Sequence, residues 1–291
     1  MRRDGLLIID KPEGITSAEV VRVVKKRLGC KTGHLGTLDP FASGVLPLCI
    51  GEGTKIAQFL TVADKEYSGI IALGEETDTG DPTGRVIDKK EVPPITAGQL
   101  AETAQRFRGE IMQVPPMYSA LKRGGVPLYK LARQGVEVER APRPVHIAKL
   151  QLHAQGEAAI AFLVSCSKGT YVRVLAQQIG AALGTVAHLQ SLRRTRFGTF
   201  SFEHAVGLDR IDPAHLPLLD LRQALSQLRE ICLGAEAAQR AKQGREVVLG
   251  ELESGVREEA AKLIGPDGEL AAVVIADQSG RWHFGRVFSA G

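Results

Sequence analysis

An aspartate and a histidine lie among glycines and other small residues in the stretch GHLGTLDPFASG, residues 33–44. Pro40 biases the backbone of Asp39 away from helix and toward extended geometry. The small residues around Asp39 leave room for a ligand above its carboxylate. Local chemistry alone leaves two interpretations open: Asp39 is a reactive carboxylate, or it opens an Asp-Pro turn. His34 belongs to the same candidate site.

A carboxylate in a pocket needs a nearby cation, because burial raises its pKa and an arginine within about 4–6 Å lowers it again. The segment SKGTYVR, residues 167–173, supplies a candidate where a predicted strand passes into a predicted helix. Arg173 lies close to the start of that helix. We expect Arg173 to pair with Asp39, and the alternative is a solvated arginine on the helix surface.

Basic side chains and tyrosines alternate in an irregular stretch that also contains two adjacent glycines. Lysine and arginine suit phosphate contacts and tyrosine suits stacking on unpaired bases, so the mixture favours RNA over duplex DNA. A second group of arginines follows the helix that begins near residue 170. A solvated charged loop is the alternative. The residues expected to contact RNA are Lys122, Arg123, Tyr129, Lys130, Arg133, Arg193 and Arg194.

The hydrophobic pattern indicates the elements that must position these residues. Thr16 and Glu19 have the spacing of a capping box, and Gly29 is a good terminator for the helix that follows. The predicted strands cover residues 5–9, 45–50, 67–73, 145–152 and 158–165, the last two as a hairpin. Helices are predicted over residues 17–28, 54–60, 96–107, 170–183 and 218–229, with residues 77–84 as a loop.

Strands and helices without regular βαβ alternation indicate an α+β main domain. Beyond Ile231 the pattern changes to short strands over 247–248, 270–275 and 282–288, separated by turn residues. We therefore expect a main domain over residues 1–230 and a small β-rich module over residues 231–291, near the lower size limit for independent folding.

Composition excludes several classes of protein. The net charge of +4 is only mildly basic, so its distribution carries more information than its total. No apolar run approaches the ~20 residues of a membrane span, and the run at residues 6–9 is too short for a signal peptide, so we expect a cytoplasmic protein without a membrane partner. The cysteines and histidines lack metal-binding spacings, which predicts no metal site and buried, reduced thiols at Cys49 and Cys166.

Longer motifs resemble one protein family. GHLGTLDPFASGVLPLCIG, KEYSG (residues 65–69) and SKGTYVRVLA (residues 167–176) are similar to motifs of the bacterial tRNA pseudouridine-55 synthases, the TruB family. LLIIDKPEGITS, VPPMYSALKRGGVPLYKLARQGVEVER and HLQSLRRTRFG resemble further family motifs, and all of them occur in family order between residue 5 and about residue 230.

The resemblance implies a fold and a reaction. The fold is the pseudouridine synthase fold, a mixed, largely antiparallel central sheet flanked by helices and loops, with a small PUA-like RNA-binding module at the C-terminus. The reaction is the isomerisation of uridine 55 in the T loop of tRNA, in which the N1–C1′ bond breaks, the uracil turns, and C5 is joined to C1′. No cofactor or metal takes part. Separately from the resemblance, nothing in the sequence demands more than a monomer.

The resemblance also assigns roles to residues. Asp39 is the catalytic aspartate, Arg173 is its partner, and the Tyr67 ring packs against the target base. The other residues that carry over contact the region of the flipped nucleotide: His34, Tyr171 and Leu192. Residues 117–139 match a mobile insertion that clamps the T arm of tRNA.

Two other functions stay open from the sequence. The protein could be an RNA chaperone that binds and remodels tRNA, with modification secondary, or a guide-dependent relative that works within a ribonucleoprotein. The expected site has a single carboxylate, whereas glycoside hydrolysis usually uses two. A lone acid suits an isomerase, because a second carboxylate that activates water would favour hydrolysis.

Overall fold

The computed structural model of the protein describes residues 3–61 and 63–288. The strands in these ranges are β1 (Gly5–Lys11), β2 (Thr32–His34), β3 (Ser43–Ile50), β4 (Lys65–Leu73), β5 (Glu75–Thr77), β6 (Val86–Lys89), β7 (Gly109–Gln113), β8 (Lys122–Arg123), β9 (Val126–Pro127), β10 (Arg143–Ala154), β11 (Ala159–Cys166), β12 (Ala187–Phe197), β13 (Phe200–Ser201), β14 (Val206–Gly207), β15 (Arg229–Cys232), β16 (Ala260–Ile264), β17 (Leu270–Ala276) and β18 (Trp282–Val287). The helices are α1 (Ser17–Leu28), α2 (Ala57–Leu60), α3 (Ala97–Arg106), α4 (Leu128–Arg133), α5 (Val172–Ala182), α6 (Leu221–Ala224) and α7 (Ala235–Lys242).

A large mixed sheet organises the main body of the molecule. Its strand order is β14-β1-β3-β12-β4-β11-β10-β7, with β2 paired to β3 and β13 paired to β12. The pairs β1–β14 and β3–β12 are parallel, and the other neighbours are antiparallel. This arrangement confirms the predicted α+β fold with a mixed, largely antiparallel sheet.

Local capping signals fix the ends of the helices on this sheet. Thr16 accepts a hydrogen bond from the Glu19 N–H while the Glu19 carboxylate accepts one from the Thr16 N–H, and Gly29 ends α1 in the left-handed conformation. Thr96 and Gln99 form the same reciprocal pair at the start of α3. These capping boxes satisfy backbone donors that a helix terminus leaves free, so they set where each helix begins.

The sheet is buried on both faces around its centre. Side chains of α1, α3 and α5 pack on one face in a core that includes Val24, Leu100 and Ile179. On the other face, Ile8 and Phe197 pack with residues of the C-terminal sheet. The active-site residues described below therefore rest on a framework that is fixed from two sides.

The C-terminal module is β-rich, as predicted, with the strand order β15-β16-β17-β18. Two details differ from the prediction. Residues 247–248 lie in a 3-10 turn (Glu246–Glu251) rather than in a strand, and the turn packs Val248 into the core. Residues 235–242 form the helix α7. A domain boundary at residue 230 stays a prediction.

The helix predicted over residues 218–229 is wrong, since the structure has only the single turn α6 there. Leu219 instead pairs with Leu6 at the edge of the large sheet, and α6 begins only after the cap residue Asp220. The pairing with the sheet overrides the local helical pattern. No helix in residues 3–61 and 63–288 is long and apolar enough to cross a membrane.

Candidate active site

Asp39 lies on the loop that joins β2 to β3, residues 35–42, which we call the active-site loop. At the start of α1, the Ser17 hydroxyl donates to the Leu38 carbonyl (3.0 Å) and accepts from the Leu38 N–H (2.9 Å). The Asp39 carbonyl accepts from the Ala42 N–H at 3.1 Å, which closes a turn. The backbone of Asp39 thus opens an Asp-Pro turn, and its side chain is free for another use.

Lys11 holds the same loop from the end of β1. Its ammonium donates to the carbonyls of Pro12 (2.8 Å), Ile15 (2.8 Å) and Pro40 (3.3 Å), and the side chain is fully buried. Burial lowers the pKa of Lys11 to about 8, although the nearby Asp39 carboxylate opposes the decrease. The residue that follows Asp39 is therefore fixed by a buried cation.

Arg194 was expected on an RNA-binding surface, and the structure corrects that expectation. Only 1% of the residue is exposed. Its guanidinium donates to the Val45 carbonyl (2.7 Å) and the Gly36 carbonyl (2.8 Å), and it lies over the Phe197 ring. Arg194 cannot reach RNA from the interior; it connects the start of the active-site loop to β3.

Two glycines, one in the loop and one at the start of β3, are required by this close packing. Gly44 has a φ of 102°, and a Cβ there would lie 2.2 Å from the Arg194 carbonyl oxygen. Gly36 has a φ of 61°, and its Cβ would lie 2.8 Å from the Phe197 ring. Glycine accepts both the positive φ and the close approach, so these positions let β12 lie against the loop.

Arg173, in the first turn of α5, forms a two-armed ion pair with Asp39. Its Nε lies 2.9 Å from Asp39 Oδ2, and its Nη2 donates to Asp39 Oδ1 at 3.4 Å. Its Nη1 donates to the Thr79 carbonyl (2.6 Å), and its Nη2 also donates to the Tyr118 carbonyl (2.7 Å). The Arg173 side chain is 4% exposed and the Asp39 side chain 35% exposed, so the arginine is buried and the acid faces an opening.

Asp81 is a second carboxylate at the site, and sequence reasoning missed it. Its Oδ2 lies 3.8 Å from Arg173 Nη1. Its Oδ1 accepts hydrogen bonds from the hydroxyls of Thr79 (2.8 Å) and Thr83 (2.6 Å) and from the Thr83 N–H (3.0 Å). The expectation of a lone acid is therefore corrected: the guanidinium has two carboxylate neighbours, of which Asp81 is buried and accepts three hydrogen bonds at Oδ1.

The pKa of the Asp39 carboxyl reflects these neighbours. Burial raises the pKa of Asp39 above its ordinary value, the Arg173 guanidinium opposes that increase, and the Asp81 carboxylate adds to it. An aspartate in this position is more basic than one in water and still has a cation that stabilises its ionised form.

The other residues assigned to the flipped nucleotide differ in burial: Tyr67 and Leu192 are buried, whereas His34 and Tyr171 are half-buried. Tyr67 is buried in the same core as Leu192, and burial raises the pKa of the Tyr67 hydroxyl, which the nearby Arg194 guanidinium opposes. Tyr171 is the N-cap residue of α5, two residues before Arg173. His34 is half-buried, and its Nδ1 has no hydrogen-bond partner among the described residues. Burial lowers the pKa of His34, so its imidazole is neutral at neutral pH.

The insertion over residues 117–139 forms the β8–β9 hairpin and α4. Tyr129 is half-buried, and the Arg133 guanidinium lies 5.7 Å over its ring. The exposed cations of this segment are Lys122, Arg123, Lys130 and Arg133. Because the Tyr118 carbonyl holds Arg173, the start of the insertion is tied directly to the ion pair.

No cluster of three or more side chains able to hold a metal ion occurs within residues 3–61 and 63–288. The cysteines described there are all free, and Cys49 and Cys166 are buried, as predicted. The ion pair gives the site the chemistry of a carboxylate held beside a guanidinium.

Comparison with known proteins decides the family. Residues 22–172 match the N-terminal domain of TruB family pseudouridylate synthases, and residues 173–239 match the C-terminal domain of tRNA pseudouridylate synthase B. The chain belongs to the TruB family. The matched ranges meet at Arg173, so the ion pair joins a residue of each.

Relatives within the TruB family cover most of the chain. The tRNA pseudouridine synthase B of Geotalea uraniireducens (strain Rf4) is 43% identical over 96% of this chain and 94% of its own length. That of Burkholderia mallei (strain NCTC 10247) is 49% identical over 86% of this chain and 84% of its own. The fold is similar to a crystal structure of a Cbf5–Nop10–Gar1 complex, with a TM-score of 0.73 and 25% identity over 98% of this chain and 84% of that one.

Proposed function

We propose that this TruB family protein converts uridine 55 in the T loop of tRNA to pseudouridine. It is a pseudouridine synthase by family, and the relatives named tRNA pseudouridine synthase B match over most of its length, which makes tRNA its substrate. We infer the position of the target, uridine 55 in the T arm, from the resemblance of the chain's motifs to those of the family.

The observation that carries the mechanism is the ion pair between Asp39 and Arg173. Isomerisation breaks the N1–C1′ bond, turns the uracil, joins C5 to C1′ and moves the C5 proton, so substrate and product have the same atoms and no co-reactant is needed. Attack of the carboxylate on the sugar, attack on the base, and removal of a ribose proton all use an ionised Asp39. Arg173 stabilises that form and fixes its orientation.

Asp81 does not act as a second acid in this mechanism. Its Oδ1 receives three hydrogen bonds from the 79–83 segment, and Arg173 occupies the side of its Oδ2. A carboxylate held in this way has little capacity to activate water. Capture of the ribose C1′ by water, which would release free uracil, is therefore disfavoured, although two carboxylates are close to the same guanidinium.

Base flipping brings the target uracil to Asp39. Removing a base from its stack costs a few kcal/mol, and stacking on an aromatic ring contributes about 1–3 kcal/mol in return. Tyr67 is the aromatic residue proposed to contact the target base, with His34, Tyr171 and Leu192 around the flipped nucleotide. We propose that the insertion over residues 117–139 clamps the T arm through its exposed cations.

The test is release of tritium from a tRNA transcript labelled at C5 of uridine. The wild-type protein alone should release it, and a transcript with cytidine at position 55 should release none. Asp39→Asn should fold and bind tRNA without turnover, because the amide is neither a nucleophile nor a base. Measurable turnover by pure Asp39→Asn would contradict the assignment of Asp39.

The same assay separates the alternatives. A tRNA chaperone would bind the transcript without tritium release, and a guide-dependent enzyme would be inactive on bare transcript. We propose that the active protein is a monomer in a non-membrane compartment, the cytoplasm. Sedimentation of the active protein at assay concentration should give a mass near 31.3 kDa.

A further inference from the structure

Gln113, the last residue of the edge strand β7, is a buried polar residue that the mechanism above does not use. Only 2% of the residue is exposed. Its side-chain Oε1 accepts a hydrogen bond from the Tyr171 N–H at 3.0 Å, and its Nε2 donates to the Tyr171 carbonyl at 3.3 Å. Both groups of one carboxamide are therefore used on the backbone of a single residue, 58 positions away in sequence.

This contact lies where α5 begins. Tyr171 is the N-cap residue, and its own side chain makes no capping hydrogen bond. In a capping box, the third helical residue accepts a hydrogen bond from the N-cap N–H. That residue is Val174 in α5, which has no acceptor in its side chain, and Gln113 supplies the acceptor from β7 instead. The Tyr171 carbonyl also accepts from the Leu175 N–H at 3.1 Å, so Gln113 holds the residue that starts the helical hydrogen-bond ladder.

The first turn of α5 carries the cation of the active site. Arg173 is the second residue of the helix, and its Nε lies 2.9 Å from Asp39 Oδ2. The terminal turn of a helix has backbone groups without intrahelical partners, so its position depends on contacts from outside the helix. A misplacement of a reacting group by about 1 Å can cost about 100-fold in rate. The contact at Tyr171 thus bears on the geometry of the ion pair.

The chain that follows β7 holds the same turn a second time. Arg173 Nη2 donates to the Tyr118 carbonyl at 2.7 Å, so residues 113–118 are joined to α5 at both Tyr171 and Arg173. A further contact joins β7 to α5 away from the helix start: Gln178 Nε2 donates to the Met112 carbonyl at 3.0 Å. This last contact contributes to packing alone and provides a comparison for Gln113.

We propose that Gln113 is a positioning residue for the reaction, which caps α5 from β7 and so sets the Arg173 guanidinium against the Asp39 carboxylate. A carboxamide suits this role because it accepts from an N–H and donates to a carbonyl at the same time. Ionised glutamate offers acceptors only, and methionine offers no donor. The proposal rests on the proposed function, because it assumes that the Asp39–Arg173 pair performs the reaction.

The test is a double-mutant cycle in which kcat and KM for tRNA are measured by tritium release. Gln113→Met removes both hydrogen-bonding groups and should lower kcat about 10- to 100-fold, with KM within about threefold of the wild type. In an Arg173→Lys background the same substitution should lower kcat by less than about threefold, because the two-armed geometry is already lost. Gln178→Met is the matched control and should keep kcat within about threefold of the wild type, because it removes a bond away from the helix start.

A Gln113 that only stabilises the fold would give different results. The proposal is overturned by any of these: wild-type kcat in Gln113→Met, a loss confined to KM, an equal loss in Gln178→Met, or an equal further loss in the Arg173→Lys background. If Gln113→Met does not fold, Gln113→Asn decides on the same terms, because its carboxamide is too short to keep both bonds to Tyr171. No tritium release by the wild-type protein on any transcript would instead contradict the proposed function.

Discussion

Replacing Arg173 by lysine or glutamine separates the two things that its guanidinium does for Asp39. The guanidinium supplies positive charge, and it supplies a two-armed geometry that orients the carboxylate. Arg173→Lys keeps the charge and loses the geometry, since an ammonium is a point charge rather than a planar fork. Arg173→Gln loses the charge as well.

The contacts of Arg173 set the size of the effect. Its donors reach both oxygens of Asp39 and the carbonyls of Thr79 and Tyr118. A lysine at this position can retain about half of these contacts, so about two charge-assisted hydrogen bonds are lost at about 1.5–3 kcal/mol each. We expect kcat to fall between about 100-fold and 10,000-fold, at about 1.4 kcal/mol per factor of ten.

The dependence of kcat on pH distinguishes charge from geometry. Burial raises the pKa of Asp39 and Arg173 opposes that increase, so removing the charge should move the acid limb of the profile to higher pH. We therefore expect a shifted limb in Arg173→Gln and an almost unshifted limb in Arg173→Lys, although both variants have low kcat.

The assay is tritium release under saturating tRNA, with thermal unfolding to show that each variant is folded. Arg106→Lys on the exposed surface of α3 is the matched control and should keep wild-type kcat. If Arg173→Lys retained kcat within about threefold of the wild type, the two-armed geometry would be unnecessary. An acid limb at the same pH in Arg173→Gln would show that the charge of Arg173 does not act on Asp39.

Three further perturbations test the supports of the site. Burial lowers the pKa of Lys11 from 10.5 to about 8, so between these pH values the unfolded chain binds more protons than the folded chain, and the free energy of unfolding rises with pH. In urea unfolding, Lys11→Met should remove about 1–2 kcal/mol of that rise between about pH 8 and about pH 9.5. The same rise in the variant as in the wild type would contradict this prediction. Arg194→Lys should lower kcat about 10- to 100-fold with little change in KM, because lysine cannot hold both the loop at Gly36 and β3 at Val45. A change confined to KM would argue against its buried role. Replacing Lys130 and Arg133 by serine should weaken tRNA binding and reduce the slope of log affinity against log salt by about 1–2, whereas an unchanged slope would exclude phosphate contacts there.

The elements that sequence predicts correctly are those with strong local signals. The capping box at Thr16 and the glycine at residue 29 define α1 to within a residue. The apolar runs that became β1 and β3 are buried strands, β4 is a half-buried strand, and the predicted hairpin is β10–β11. In each case local propensity and tertiary packing agree, so the pattern alone is sufficient.

The features that the sequence analysis did not predict depend on long-range packing. The central strand β12 contains Arg193 and Arg194. Nothing in the local pattern shows that Arg194 is buried and that Arg193 faces a cleft. The stretch TDTGDPTG was predicted to be a loop, which is correct, but Asp81 gains its role only from Arg173, which is 92 residues away in sequence. The density of threonine and aspartate in that loop was the available signal.

The arrangement of two carboxylates on one guanidinium also explains how Asp39 can be both ionised and reactive. A carboxylate paired alone with a buried arginine would have a strongly lowered pKa and would be a weak base and nucleophile. Burial raises the pKa of Asp39 above its ordinary value, and Asp81, which shares the charge of Arg173, adds to that increase. The hydroxyls of Thr79 and Thr83 donate hydrogen bonds to Asp81 and hold it beside the guanidinium. The arginine thus fixes the orientation of Asp39, while burial and the second carboxylate keep the pKa of Asp39 raised.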